Sequence, residues 1–225
     1  MGVVTLYHGS QKIVGKPLFG AGKAYNDYGQ GFYCTQNLEL AKEWACPSFD
    51  DGFANCYEIE SDGLKILDLQ DSQFCTLHWL AILANNRKFD LDLPIMRQGL
   101  YHLTNNFLPD LSGFDIVKGY RADDSYFSFA KAFLSNQISY AQLQNAMKLG
   151  KLGEQIMLKS EKAFERISFK GYELAEGKKY FPLRKKRMEE AKKEYIASLE
   201  NSDISGLFIR DIILQEVKPD DSRLQ

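Results

Sequence analysis

The sequence predicts an α+β domain, and three observations carry that expectation. Hydrophobic residues make up 44% and charged residues 26% of the 225, an ordinary balance for a chain that buries a sizeable core. Short apolar runs with strand character stand beside longer stretches with helical apolar stripes. The two kinds of segment do not alternate regularly, which argues against a doubly wound parallel sheet.

The run VVTLY at 3–7 has the β-branched, apolar character of a first strand. Glycines and small polar residues dominate 9–31, a long loop whose length inside a compact domain points to function. Thr35 is placed to cap a helix running to about residue 45, with Leu38, Ala41, Trp44 and Ala45 on its apolar face. Residues 53–59 and 65–69 read as strands. Residues 74–86 read as a helix, with Leu77, Leu80, Ala81 and Ala84 in one stripe. The stretch 88–109 is ambiguous, being broken by Pro94, Gly99 and Pro109. A brief strand at 115–117 precedes helices at 125–135 and 139–148, the second with Ser139 and Gln142 at capping-box spacing. Strands are expected at 155–159 and 163–169, joined by a tight polar turn. Residues 180–199 form the longest helix candidate, with Pro182 near its start. The segment 207–217 is apolar enough to return against the body.

Formal net charge is -2, so no global positive field collects nucleic acid or anionic lipid. The strongest basic patch spans 184–193 and reads as a solvated helix face, with a protein partner or polyanion surface as the alternative. Cys34, Cys46, Cys56 and Cys75 stand at no short metal-ligand spacing, so no metal site is expected. Free thiols, and the lack of a signal segment or a membrane-length apolar run, lead us to expect a cytoplasmic protein with no membrane partner.

His8 ends the first strand and is followed by Gly9 and Ser10. It is either a structural histidine satisfying a loop carbonyl or a ligand donor at a sheet end. Gly9 allows close backbone approach and Ser10 adds a hydroxyl. The segment YGQGFYCT at 28–35 contains Gly31 and Tyr33. It lacks the third glycine of a dinucleotide fingerprint, yet Tyr33 has a face on which a planar ring can stack.

Together, YHGS at 7–10 and YGQGFYCTQNLELAKEWA at 28–45 resemble the first two signatures of the poly(ADP-ribose) polymerase branch of the ADP-ribosyltransferases. The resemblance covers about residues 3–170. It extends to small bacterial proteins, a domain of unknown function, that share the LYHGS, GFY and ADD segments. It implies a split antiparallel β-sheet core with flanking helices over residues 1–175, and a helical C-terminal extension over 176–225 packed on that core. It also implies a mono-ADP-ribosyltransferase that takes NAD as co-substrate and transfers ADP-ribose to a protein, nucleic acid or small molecule. The alternative is an inactive NAD or ADP-ribose binding or protein interaction domain, with the charged C-terminal helix as the docking surface. By the same resemblance His8 and Gly9 hold ribose and carboxamide, Ser10 matches the hydroxyl that follows, and Tyr33 stacks on nicotinamide.

The family's third signature is a glutamate at the start of a later strand, and the match here is EQIMLK at 154–159. Register puts Gln155 at the catalytic position. Its amide can bond a ribose hydroxyl but lacks the charge that favours an oxocarbenium-like state. Neighbouring strand residues face opposite ways, so Glu154 takes the role only through a bulge. Asp115, Asp123 and Asp124 are either turn and capping residues or a source of the missing charge. Arg121 beside them is a candidate for pyrophosphate. Transfer of an RNA 2'-phosphate to NAD would need several phosphate-clamping cations, of which the core segments show only Arg121.

Overall fold

The structure, a computed structural model, describes residues 2–122, 124–148, 153–200 and 206–224. It is an α+β architecture of two small sheets and eight helices among the described residues. Strands β1 (Val3–Ser10), β3 (Gly52–Glu60) and β7 (Ile167–Ala175) form an antiparallel sheet in the order β1-β3-β7. The second sheet has the order β2-β6-β5-β4, from β2 (Phe32–Cys34), β6 (Glu154–Leu158), β5 (Ile116–Tyr120) and β4 (Ile66–Asp68). In it β6 runs antiparallel to both neighbours, while β4 and β5 are parallel. A backbone bridge between Tyr7 and Thr35 links the sheets, with N–O distances of 2.7 and 2.9 Å.

The period of two along each strand sorts the side chains. Leu6, Ile59, Cys34, Ile116, Ile156 and Leu158 form an apolar cluster shared by the two sheets. Met157, Val117 and Leu67 face the other way, into the main core with the helices. That core takes its bulk from α2 (Thr76–Asn86), α3 (Pro94–Asn106), α4 (Asp124–Leu134) and α5 (Tyr140–Lys148). Trp79 of α2 is buried there and donates its indole N–H to the Tyr120 carbonyl at 3.1 Å.

Several elements differ from the sequence expectations. The helix expected from Thr35 is α1 (Leu38–Ala45), capped by Asn37, whose side chain accepts from the Leu40 N–H. Thr35 is instead committed to the bridge with Tyr7. The ambiguous stretch holds α3, because Pro94 sits in its first turn, where no backbone N–H is required. No strand begins at 163. Ser160 accepts from the Ala163 N–H and starts the short helix α6 (Glu161–Glu165), after which β7 runs to Ala175. At α5 the capping box holds, with Ser139 and Gln142 bonding each other's backbone N–H groups.

The longest helix, α7 (Gly177–Glu200), includes Pro182 in its interior and packs along α1. Tyr180 donates to Glu39, and Arg187 pairs with Glu43, which is 5% exposed. Farther along, the Tyr195 ring lies 4.1 Å from that of Phe129. After α8 (Ile209–Leu214), Val217 and Leu224 join Ile209 and Ile212 in the main core. No helix among the described residues is long and apolar enough to cross a membrane.

Candidate functional site

A cleft of about 990 Å³ opens beside the bridge between the sheets, within the size range of small-molecule sites. His8 and Gly9 line it from β1, Gly31 to Tyr33 at β2, Gln155 from β6 and Trp44 from α1. Arg121 and Ala122 border it after β5, Arg87 after α2 and Arg184 from α7, and residues of the 14–27 loop cover it. Asn55, fully buried in β3, anchors that loop. Its amide group donates to the His8 and Lys12 carbonyls and to the Ser10 hydroxyl, and its carbonyl accepts from the Val14 N–H.

His8 combines both sequence readings. Its Nδ1 lies 2.7 Å from the Tyr33 carbonyl, which can only accept, so Nδ1 carries the hydrogen. Burial lowers its pKa below the ordinary value and outweighs the opposing effect of that hydrogen bond, so the ring is neutral at pH 7. Nε2 is therefore an acceptor, suited to a hydroxyl or amide of a ligand. The ring packs on Phe32 at 4.4 Å between centroids.

The glycines serve packing at least as much as ligand approach. A Cβ on Gly9 would stand 2.0 Å from the Ala41 carbonyl and 2.8 Å from Trp44 Cβ, so its bareness lets α1 lie on the strand. A Cβ on Gly31 would meet Met157 Cγ at 2.5 Å and the Leu158 carbonyl at 2.6 Å. Tyr33 faces the cleft, yet its hydroxyl donates to the Gly29 carbonyl at 2.7 Å and accepts from the Tyr28 N–H at 3.0 Å. Burial pushes that phenol far above its ordinary pKa, so it stays a neutral pin for the loop.

Gln155 is 4% exposed, and both its N–H bonds are used, to Asp27 Oδ2 at 3.0 Å and the Tyr120 carbonyl at 3.3 Å. The amide oxygen is what remains for a ligand hydroxyl. Asp27, 7% exposed, is the carboxylate the sequence reading missed. Its Oδ2 also accepts from the Ala122 N–H at 3.0 Å, and its Oδ1 pairs with Arg87 at 3.1 Å. Arg87 in turn donates to the Ala122 carbonyl and lies over the Phe127 ring. The negative charge absent at Gln155 thus sits one hydrogen bond away. Its signal in the sequence was its place in NDYGQGFY, directly before the recognised motif. Arg87 carried no local signal.

Two expected site residues do not join the cleft as anticipated, and the side chain of a third lies outside the described residues. Glu154 lies on the opposite strand face, without a bulge in the β5–β6 pairing, and pairs with Lys118 at 3.1 Å. It cannot act beside Gln155. Ser10 donates to the Lys12 carbonyl and accepts from Asn55, and so shapes the loop rather than lining the cleft. Asp124 begins α4, but its side chain and all of Asp123 lie outside the described residues. Asp115 is structural. Burial alone would raise its pKa, but hydrogen bonds from Ser160 and the Lys65 N–H hold it below the ordinary value.

Arg121 is in place, its guanidinium 4.4 Å from the Trp44 ring centroid. Four further cations border the same space: Lys16, Lys23, Arg87 and Arg184. The premise that Arg121 stands nearly alone is therefore corrected, because the others come from loops and a helix scattered along the chain. Among the described residues no three His, Cys, Asp or Glu side chains gather as a metal site.

No curated protein and no solved structure matches the chain. Residues 4–169, which include every cleft residue named above except Arg184, match the family described as Protein of unknown function (DUF3990). With most of its length covered, the chain belongs to the DUF3990 family.

Proposed function

We propose that this chain binds NAD in the cleft, breaks the nicotinamide–ribose bond and transfers ADP-ribose to an acceptor, on a split-sheet core of the ADP-ribosyltransferase type. The observation that carries the reading is the convergence of His8, Gly9, Tyr33 and Gln155 on one cleft, with Asp27 bonded to Gln155. The first four come from three strands separated in sequence and were picked out by the resemblance, whereas Asp27 comes from a loop and was not. The Tyr7–Thr35 bridge, beside which the cleft opens, supports the split-sheet part of the reading.

The nicotinamide ring of NAD is cationic. When its bond to ribose breaks, the bonding pair stays with nicotinamide, which leaves neutral, and positive charge passes to the ribose. The acceptor's lone pair forms the new bond and its proton passes to solvent. The chain's task is then positioning and charge. His8 Nε2 and the Gln155 amide oxygen accept ribose hydroxyls, and the Asp27 carboxylate favours the cationic sugar. Water competes as acceptor, so slow NAD hydrolysis accompanies transfer.

A second reading, a silent NAD or ADP-ribose binder, draws on the neutrality of Gln155 and the pairing of Asp27 with Arg87. Nicotinamide release from NAD, followed by chromatography, separates the two. Release abolished in Asp27→Asn is expected, with ADP-ribose binding retained. Binding without release in the wild type selects the silent reading, and absence of both overturns the site.

A further inference from the structure

We propose that α7 binds nucleic acid through its backbone phosphates, using a face of six lysines turned away from the rest of the fold. The inference does not depend on the reaction proposed above.

Residues 178–193 hold eight Lys and Arg against two Glu, in a chain whose formal charge is -2. Positive charge is therefore concentrated on this helix, while the remainder of the chain is acidic overall. Packing sorts these cations. Arg187 turns inward to Glu43, on the same side as the buried Tyr180 and Ala191, and Arg184 is half-buried at the cleft. Lys178, Lys179, Lys185, Lys186, Lys192 and Lys193 are all exposed. At 3.6 residues per turn these six fall within about 140° of arc, opposite Arg187 and along about 22 Å of helix axis.

Acids do little to cancel this row. Lys186 lies 3.7 Å from Glu190, an exposed pair of small worth. Glu189 shares the arc and leaves it strongly positive. Among the described residues Lys178, Lys192 and Lys193 make no ion pair, and Lys179 and Lys185 lie over the Tyr180 and Phe181 rings. A face that serves only to meet solvent typically alternates its signs and laces them into salt bridges, and this one does neither.

Charge density selects the partner. Duplex nucleic acid carries about one negative charge per 1.7 Å of axis, which supplies a phosphate to each lysine along the face. An extended acidic peptide offers at most one charge per about 3.3 Å. A lipid surface would need apolar side chains beside the charges, and Ile196 is the large apolar side chain within the arc. Lysines act as point charges rather than planar forks, so they hold phosphates without reading bases.

Fluorescence anisotropy of the full chain with a labelled duplex DNA oligonucleotide of mixed sequence tests the proposal. The logarithm of affinity should fall against the logarithm of salt concentration with a slope of about -4 to -5, the release expected from five or so phosphates. Lys192→Gln with Lys193→Gln should weaken binding about tenfold or more and make the slope shallower by about two. Arginine at the same two positions should restore the affinity. Lys65→Gln with Lys218→Gln, at two exposed lysines off the helix, should match the wild type. A second duplex of different sequence should bind equally well. Absence of binding at about 50 mM salt, or equal loss in the two glutamine double variants, overturns the proposal. Polyglutamate that displaces the duplex as effectively, charge for charge, as unlabelled DNA would make an acidic protein the partner and overturn it too.

Discussion

Gln155→Glu would place a second carboxylate against Asp27. In the wild type the amide gives one N–H to Asp27 Oδ2 at 3.0 Å and the other to the Tyr120 carbonyl at 3.3 Å. An ionised glutamate has no hydrogen to give either acceptor. Two carboxylate charges about 4 Å apart repel by about 4 kcal/mol at an effective dielectric constant near 20. The glutamate can escape by keeping its proton. From an ordinary value of about 4.3, that costs about 3.7 kcal/mol at pH 7 and about 1 kcal/mol at pH 5. The variant should therefore be about 3–4 kcal/mol less stable than wild type at pH 7 but only about 1 kcal/mol less stable at pH 5. The sign follows from linkage: an acid whose folded pKa is raised loses nothing below its unfolded pKa, and its penalty grows as pH rises towards the folded value. Urea unfolding of both proteins at pH 5, 6 and 7 gives the difference directly, other groups cancelling. Adding Asp27→Asn should remove the pH-dependent part. A stability difference that stays flat with pH, or a variant as stable as wild type at pH 7, would refute the reasoning. The same coupling predicts no gain in nicotinamide release from this substitution, because a protonated glutamate adds no charge.

Two other expectations follow from the site geometry. With the His8 pKa lowered by burial, ADP-ribose affinity should stay level from pH 8 to about 6.5 and decline only below, as Nε2 gains a proton. His8→Ala should bind about tenfold more weakly and lose that decline, and a decline already under way above pH 7 would contradict the assignment. Gly9→Ala should cost about 1–3 kcal/mol or more, because the new Cβ stands 2.0 Å from the Ala41 carbonyl and α1 must shift. An unchanged denaturation midpoint would show that α1 does not depend on that contact.

What the sequence determined by itself was local. Apolar spacing located α2, and Ser139 with Gln142 located the start of α5, because capping and amphipathic stripes are written within a few residues. Motif order likewise marked His8, Gly9, Gly31, Tyr33 and Gln155, and all five line the cleft. Strand alternation alone warned that Glu154 and Gln155 face opposite ways, and Glu154 indeed turns to Lys118. Local patterns misled where a competing long-range pairing took the residue, as when Thr35 went to the bridge with Tyr7 and left the cap to Asn37. Only the tertiary structure set Asp27 beside Gln155, Arg87 beside Asp27, and Arg184 at the same cleft as Arg121. Those groups lie on a loop, a helix end and a C-terminal helix with no shared spacing. The charge of the site is decided by which segments the packed core brings together, and that information is spread over the whole chain.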